Sequence, residues 1–286
     1  MKAPPFDYVN PADLATVSSL LRQHGDAARL IAGGQTLLAT LNMRLSEPKV
    51  LIDLKDVPGL RGISLQAACV RIGAMTTHSE IEDSPLLARF LPLLTAAAPH
   101  VAHRAIRNRG TLGGSLAFAD PAAEWPACAL ALDAVLILES DRGRRRVAAA
   151  DFFKALYSTA LAPDEIITAC EFPLPAPNMC FTFDELARRH GDYAIVGLAA
   201  TAEREGEVLR AIRLVFLGTG DIPMRARETE KILEGKPIDA GKLALAAEAL
   251  AGELLPAADL YNDAATKLHL AGVLLRRGVM RLSAIA

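Results

Sequence analysis

Two pairs of adjacent glycines stand among side chains able to donate hydrogen bonds. Gly33-Gly34 lies in "AGGQTLL" (32–38), followed by Gln35 and Thr36, and Gly113-Gly114 lies between Thr111 and Ser115 in "RNRGTLGGSLAFADPAAEWPA" (107–127). Glycine lets an anion approach the backbone closely. At a helix start the unpaired amides and the positive end of the dipole favour negative charge. Each hydrogen bond to a charged oxygen contributes about 1.5–3 kcal/mol net. One Gly-Gly alone is most often a tight turn; two, each beside donors, suit the two phosphates of a diphosphate. Arg107, Arg109, Asp120 and Glu124 flank the second pair.

Other chemistries fit less well. There is no G-x-x-x-x-G-K-[ST] phosphate loop. "GTGDIP" (218–223) has Pro223 where a dinucleotide turn needs its third glycine, and it reads as a strand-to-helix turn. Ser115 lacks the closing glycine of a nucleophile elbow. His100 and His103 have no third ligand in view, so surface or capping roles are expected. Cys69, Cys128, Cys170 and Cys180 are dispersed with no C-x-x-C, the pattern of reduced, mostly buried thiols. The net charge is −2 and basic residues are scattered, which argues against a nucleic-acid partner. The exception, "RGRRR" (142–146), reads as a solvated hairpin. The N-terminus has no apolar leader pattern, and the longest oily run (126–138) is broken by Asp133. A cytoplasmic protein without a membrane span is expected.

These residues must be positioned by an ordinary globular chain of 286 residues, 51% hydrophobic and 22% charged. Asn10-Pro11 with Asp13 signals a helix over 11–23. The short apolar run 28–32, the Gly33-Gly34 turn, a helical pattern from Thr36 to Arg44 and the run 49–54 form a strand, turn, helix, strand unit. Strands are predicted at 69–74 and 133–138, and proline-interrupted helices at 77–103. Three prolines in "FPLPAPN" (172–178) mark a linker. Beyond it, strand patterns at 179–186, 193–205 and 207–218 precede amphipathic helices at 224–234, 239–251 and 260–276.

"AGGQTLL" (32–38), "IRNRGTLGG" (106–114), "ADPAAEWPA" (119–127) and "RRHGDYA" (188–194) together resemble the FAD-binding medium subunits of molybdenum hydroxylases. That family includes the flavin subunit of aerobic carbon monoxide dehydrogenase and the flavin domain of xanthine dehydrogenase. The similarity continues through 72–86, 151–153, 160–168 and 232–237, nearly the whole chain.

The resemblance implies an α+β fold: a two-part FAD-binding domain of the vanillyl-alcohol-oxidase (PCMH) type, followed by a C-terminal domain with a small antiparallel sheet and helices. The expected parts are an α/β subdomain over 1–56, a middle α/β subdomain over 57–175 and the C-terminal domain over 176–286. FAD would lie between the first two. Ala32, Gly33, Gly34, Gln35 and Thr36 match the family's first FAD loop, and Thr111, Leu112, Gly113, Gly114 and Ser115 its second. Glu124 matches an acidic position at the adenosine half, and Tyr193 falls in the segment against the isoalloxazine. The bland reading of Tyr193 is a core aromatic at a strand start. Val101 and Leu161 complete the implied cofactor set. Glu185 stands near a position that is lysine in several relatives, so no cationic flavin contact carries over. By the same resemblance, molybdopterin and two-iron clusters belong to a large and a small partner subunit, assembled as a dimer of heterotrimers. This chain would collect electrons from the clusters and pass them to an external acceptor. A self-sufficient single-chain FAD oxidoreductase and a non-catalytic nucleotide-binding module stay open as alternatives.

Overall fold

A computed structural model describes residues 2–283, so Met1 and residues 284–286, the ends of the expected 1–56 and 176–286 segments, lie outside the described residues. The fold is α+β, with one main sheet in each expected segment and a further two-stranded sheet, Phe153–Ala155 with Ser158–Thr159, in the middle one.

The first sheet is parallel, in the order Asp7–Val9, Val50–Asp53, Ala28–Ile31. Asp7–Val9 gave no sequence signal, because a three-residue edge strand is too short for periodicity to show. The first helix is Leu14–His24, not 11–23: the Asp13 carboxylate caps it, accepting from the Thr16 amide at 2.7 Å. Asn10 instead donates through Nδ2 to the Asp53 carbonyl at 3.3 Å, tying the entering chain to the end of the central strand.

The second sheet has five strands, in the order Ile63–Leu65, Cys69–Gly73, Ile166–Pro173, Val135–Ser140, Gly143–Ala148. It is antiparallel throughout, so the α/β expectation for the middle segment is corrected: its helices are inserted between strands rather than crossing over between parallel neighbours. The helices break where the prolines stand, at His78–Glu82, Pro85–Phe90 and Pro92–Ala97, with Pro85 and Pro92 opening theirs. The "RGRRR" run does form a hairpin, an edge strand whose Arg144, Arg145 and Arg146 pair with Glu139, Glu165 and Glu171. Phe172 and Pro173 close a strand, so the linker is shorter than "FPLPAPN" suggests; Pro173 needs no ladder donor at a strand end.

The third sheet is antiparallel, in the order Met179–Leu186, Val196–Glu205, Val208–Leu217, Met224–Arg225. Ala199, Val215 and Leu217 pack into the middle core, while Leu198, Ala200, Leu214 and Phe216 face the helices Ala240–Glu253 and Ala264–Ser283. Burial on both faces accounts for the unbroken apolar stretches 196–200 and 214–217 within them. "GTGDIP" leads first into the short strand Met224–Arg225, and the next helix starts only at Arg227. Cys128 and Cys170 are buried, Cys69 and Cys180 half-buried, and all four are free. No helix among the described residues is long and apolar enough to cross a membrane.

Candidate cofactor site

The first glycine turn leaves the C-terminal end of the parallel strand Ala28–Ile31 and enters the helix Leu37–Asn42. Gly34 has φ +72°, a conformation costly for any residue with a Cβ. The amides of Gly33, Gly34, Gln35 and Thr36 have no acceptor among the described residues. Thr36 occupies the N-cap without using its hydroxyl as a cap. Gln35, by contrast, spends Nε2 on the Gly33 carbonyl at 3.0 Å, stiffening the turn.

The second pair differs from its sequence reading. Gly113 and Gly114 lie in the first turn of the helix Leu112–Phe118, and their amides are already used. Leu112 donates to the Thr76 carbonyl at 3.0 Å, Gly113 to the Ala74 carbonyl at 2.8 Å, and Gly114 to Thr111 Oγ1 at 3.2 Å. Lack of side-chain bulk is therefore what this pair supplies. A Cβ on Gly114 would stand 3.7 Å from the Ala32 Cβ, so the helix start faces the first turn.

The two turns meet backbone to backbone. A Cβ on Gly33 would lie 2.1 Å from the Arg109 carbonyl oxygen and 2.8 Å from the Gly110 Cα. On its far side Gly110 is backed by His78: a Cβ there would come 2.6 Å from the imidazole Nε2. His78 is fixed by Trp125, whose Nε1 donates to Nδ1 at 3.0 Å, and the His78 amide donates to the Gly110 carbonyl at 2.9 Å. Burial, then the positive Arg107, pushes the His78 imidazole down to about 3, so it is neutral. Arg107 braces the same loop, bonding Glu82 through Nε and Nη2 and donating through Nη1 to the carbonyls of Pro99, Val101 and Ala102.

The remaining expected residues come from other segments. Val101 is buried at the turn that Arg107 holds, and Leu161 is half-buried against the middle core. Glu124 opens the helix Glu124–Ala131 and is only 8% exposed. Burial, then the negative charges of Glu185 and Asp120, pushes its carboxyl up to about 8. Tyr193 is 71% exposed in the loop before Val196–Glu205, so it is not a core aromatic. Its hydroxyl is raised by partial desolvation and then by Asp120, Tyr157 and Glu124, which places these four groups in one electrostatic neighbourhood.

Sequence reasoning missed His78, Trp125 and Tyr157. Tyr157 is exposed, holds φ +53° and packs its ring, tilted by 45°, 4.9 Å from that of Phe118 on the second glycine helix. A left-handed tyrosine carries no sequence signal. The "TTHSEIE" stretch (76–82), whose capping box sets His78 as the first helical residue, was the available signal for the imidazole.

Residues 4–175 match the family model described as FAD binding domain in molybdopterin dehydrogenase, and 181–282 that of the CO dehydrogenase flavoprotein C-terminal domain. The chain is 39% identical to the nicotine 6-hydroxylase medium subunit of Paenarthrobacter nicotinovorans, covering 99% of each chain. It is 34% identical to the carbon monoxide dehydrogenase medium chain of Hydrogenophaga pseudoflava, over 98% of this chain and 97% of that one. Carbon monoxide dehydrogenase from Hydrogenophaga pseudoflava lacking the Mo-pyranopterin moiety superimposes with a TM-score of 0.96 at 35% identity, covering 99% of this chain and 98% of that one. Quinoline 2-oxidoreductase from Pseudomonas putida 86 gives 0.94 at 40% identity, with the same coverage. The chain therefore belongs to the FAD-binding medium subunits of the molybdenum-containing hydroxylases and dehydrogenases, an oxidoreductase subunit whose cofactor is FAD.

Proposed function

We propose that this chain is the electron-transfer subunit of a three-part molybdenum hydroxylase, with the FAD diphosphate seated where the two glycine turns touch. The backbone contact of Gly33 with Arg109 and Gly110 carries the reading, because it brings two segments about 75 residues apart to one surface with no side chain between them. The residues fit the group. The amides of Gly33 to Thr36 have no acceptor among the described residues, and the Thr36 hydroxyl is not spent on capping its helix. In this arrangement the first turn supplies donors and Leu112, Gly113 and Gly114 supply clearance. Glu124 meets the adenosine half, Tyr193 lies over the ring system, and Val101 and Leu161 close the edges. Arg107, His78 and Trp125 hold the second turn against the first.

Flavin accepts electrons singly and releases them in pairs, so the chain's own tasks are to bind, orient and shield it. The electrons would come from two-iron clusters of a small subunit, fed by a large molybdenum-cofactor subunit, in a cytoplasmic dimer of heterotrimers. The segments 1–56 and 57–175 would embrace FAD, with 176–286 packed beside them. Copurification from the native host tests the assembly: three subunits, flavin reduced on adding the substrate of the complex, support it. Direct substrate turnover by this chain alone would favour the single-chain alternative, and redox-silent flavin in the complex would favour a non-catalytic module.

A further inference from the structure

The seam between the helix Glu124–Ala131 and the strand Met179–Leu186 holds an acidic cluster that the proposed function leaves unexplained. The Glu185 side chain is 4% exposed, and Oε1 lies 3.3 Å from His100 Nδ1. Its Oε2 is buried without a hydrogen-bond partner among the described residues. Glu124 faces it across the seam, with Asp120 on the loop before the helix and the buried Cys128 one turn along it. Tyr193 and Tyr157 border the cluster on the open side, and His190 stacks 6.4 Å from His100 behind it.

Three carboxyl groups gathered in one place are a poor wall for a dinucleotide that carries two negative phosphates. Protonation lowers that charge. A neutral carboxylic acid is also a hydrogen-bond donor, whereas a carboxylate only accepts.

We infer that Glu124 meets the cofactor as a neutral carboxylic acid, donating a hydrogen bond to an acceptor atom of its adenosine half. Glu185 is the positioning group across the seam that keeps this proton in place. The inference rests on the FAD reading above and adds to it that cofactor binding and one proton are linked. Buried with its Oε2 unpaired, Glu185 presents negative charge to Glu124 that water does not screen, and His100 anchors its other oxygen.

The test is a titration of the full chain, stripped of flavin, with FAD across about pH 6–9, read by quenching of flavin fluorescence. In the unaltered chain Kd should be level to about pH 7 and weaken above, approaching tenfold per unit beyond about pH 8, the mark of a single proton. Glu124→Gln, permanently neutral, should bind with no pH dependence over this range. Glu185→Gln should move the midpoint to lower pH and weaken binding at pH 7 by about two- to tenfold. A level profile for the unaltered chain, an unchanged profile in Glu124→Gln, or an unmoved midpoint in Glu185→Gln overturns the inference. Should Glu124→Gln fail to fold by circular dichroism, the midpoint of Glu185→Gln decides alone. Absence of FAD binding at every pH is a different result: it removes the cofactor reading itself, and this inference with it.

Discussion

Replacing Gly33 by alanine tests the joint between the two turns most directly. The new Cβ would stand 2.1 Å from the Arg109 carbonyl oxygen, and relieving that to the ordinary 3.4 Å requires a shift of about 1.3 Å. The obstacle is backbone and cannot rotate away. The Arg109 and Gly110 amides both donate to the Ile106 carbonyl, at 3.0 and 2.8 Å, and the Gly110 carbonyl accepts from His78, so the second turn is held from behind. The first turn must therefore yield, carrying the amides of Gly33 to Thr36 away from their positions. A displacement above 1 Å breaks a hydrogen bond, and each one lost to a phosphate oxygen costs about 1.5–3 kcal/mol. FAD affinity should fall by about ten- to more than a hundredfold for a single lost bond. The three hydrophobic cores contain neither glycine pair, so circular dichroism should be unchanged. Equilibrium dialysis against FAD, with Gly252→Ala in the helix Ala240–Glu253 as a control, gives the comparison: a Cβ there meets nothing within 4 Å. Normal FAD affinity in Gly33→Ala would refute the claim that backbone contact between the turns builds the site.

Four further outcomes follow from the same geometry. Trp125→Phe leaves the buried His78 Nδ1 without its 3.0 Å donor, so thermal melting should fall by an amount equivalent to about 1–3 kcal/mol; an unchanged midpoint would contradict this. Arg107→Ala strips Glu82 and three carbonyls of their buried donor and should cost about 3–5 kcal/mol in denaturant unfolding. Stability should depend on pH through two opposed groups. His78 titrates at about 3 folded against an ordinary 6.5, so its share is lost as pH falls from 6.5. Glu124 titrates at about 8 against 4.5, so its share is lost as pH rises from 4.5. Melting curves of Glu124→Gln should lose the alkaline slope and keep the acid one. Tyr193→Ala removes an exposed ring and should leave stability within about 0.5 kcal/mol while shifting the bound flavin absorbance; an unaltered spectrum would remove Tyr193 from the site.

The sequence by itself determined what local chemistry can encode. Glycines after a strand marked the first turn, Pro85 and Pro92 marked breaks in the helical stretch, and the patterns at 193–205 and 207–218 marked two long strands. Propensity pointed to Asn10 as the cap of the first helix with Asp13 as an acid in its first turn; the tie from Asn10 to the central strand takes Asn10 out of that role, and Asp13 caps the helix instead. The tertiary structure decided the rest. Whether a glycine offers an amide or merely an absence depends on which distant carbonyl has already claimed its proton: Ala74 claims that of Gly113, while no group among the described residues claims that of Gly33. Gly110 must be glycine because His78, 32 residues earlier, packs against it. Glu124 and Glu185 are 61 positions apart and nothing in the sequence links one to the other, yet their mutual field arises once both are shut away from water. Propensity and capping act over a few residues of chain, whereas desolvation and steric contact depend on what folding brings from elsewhere, and the cofactor site is made almost wholly of the second kind.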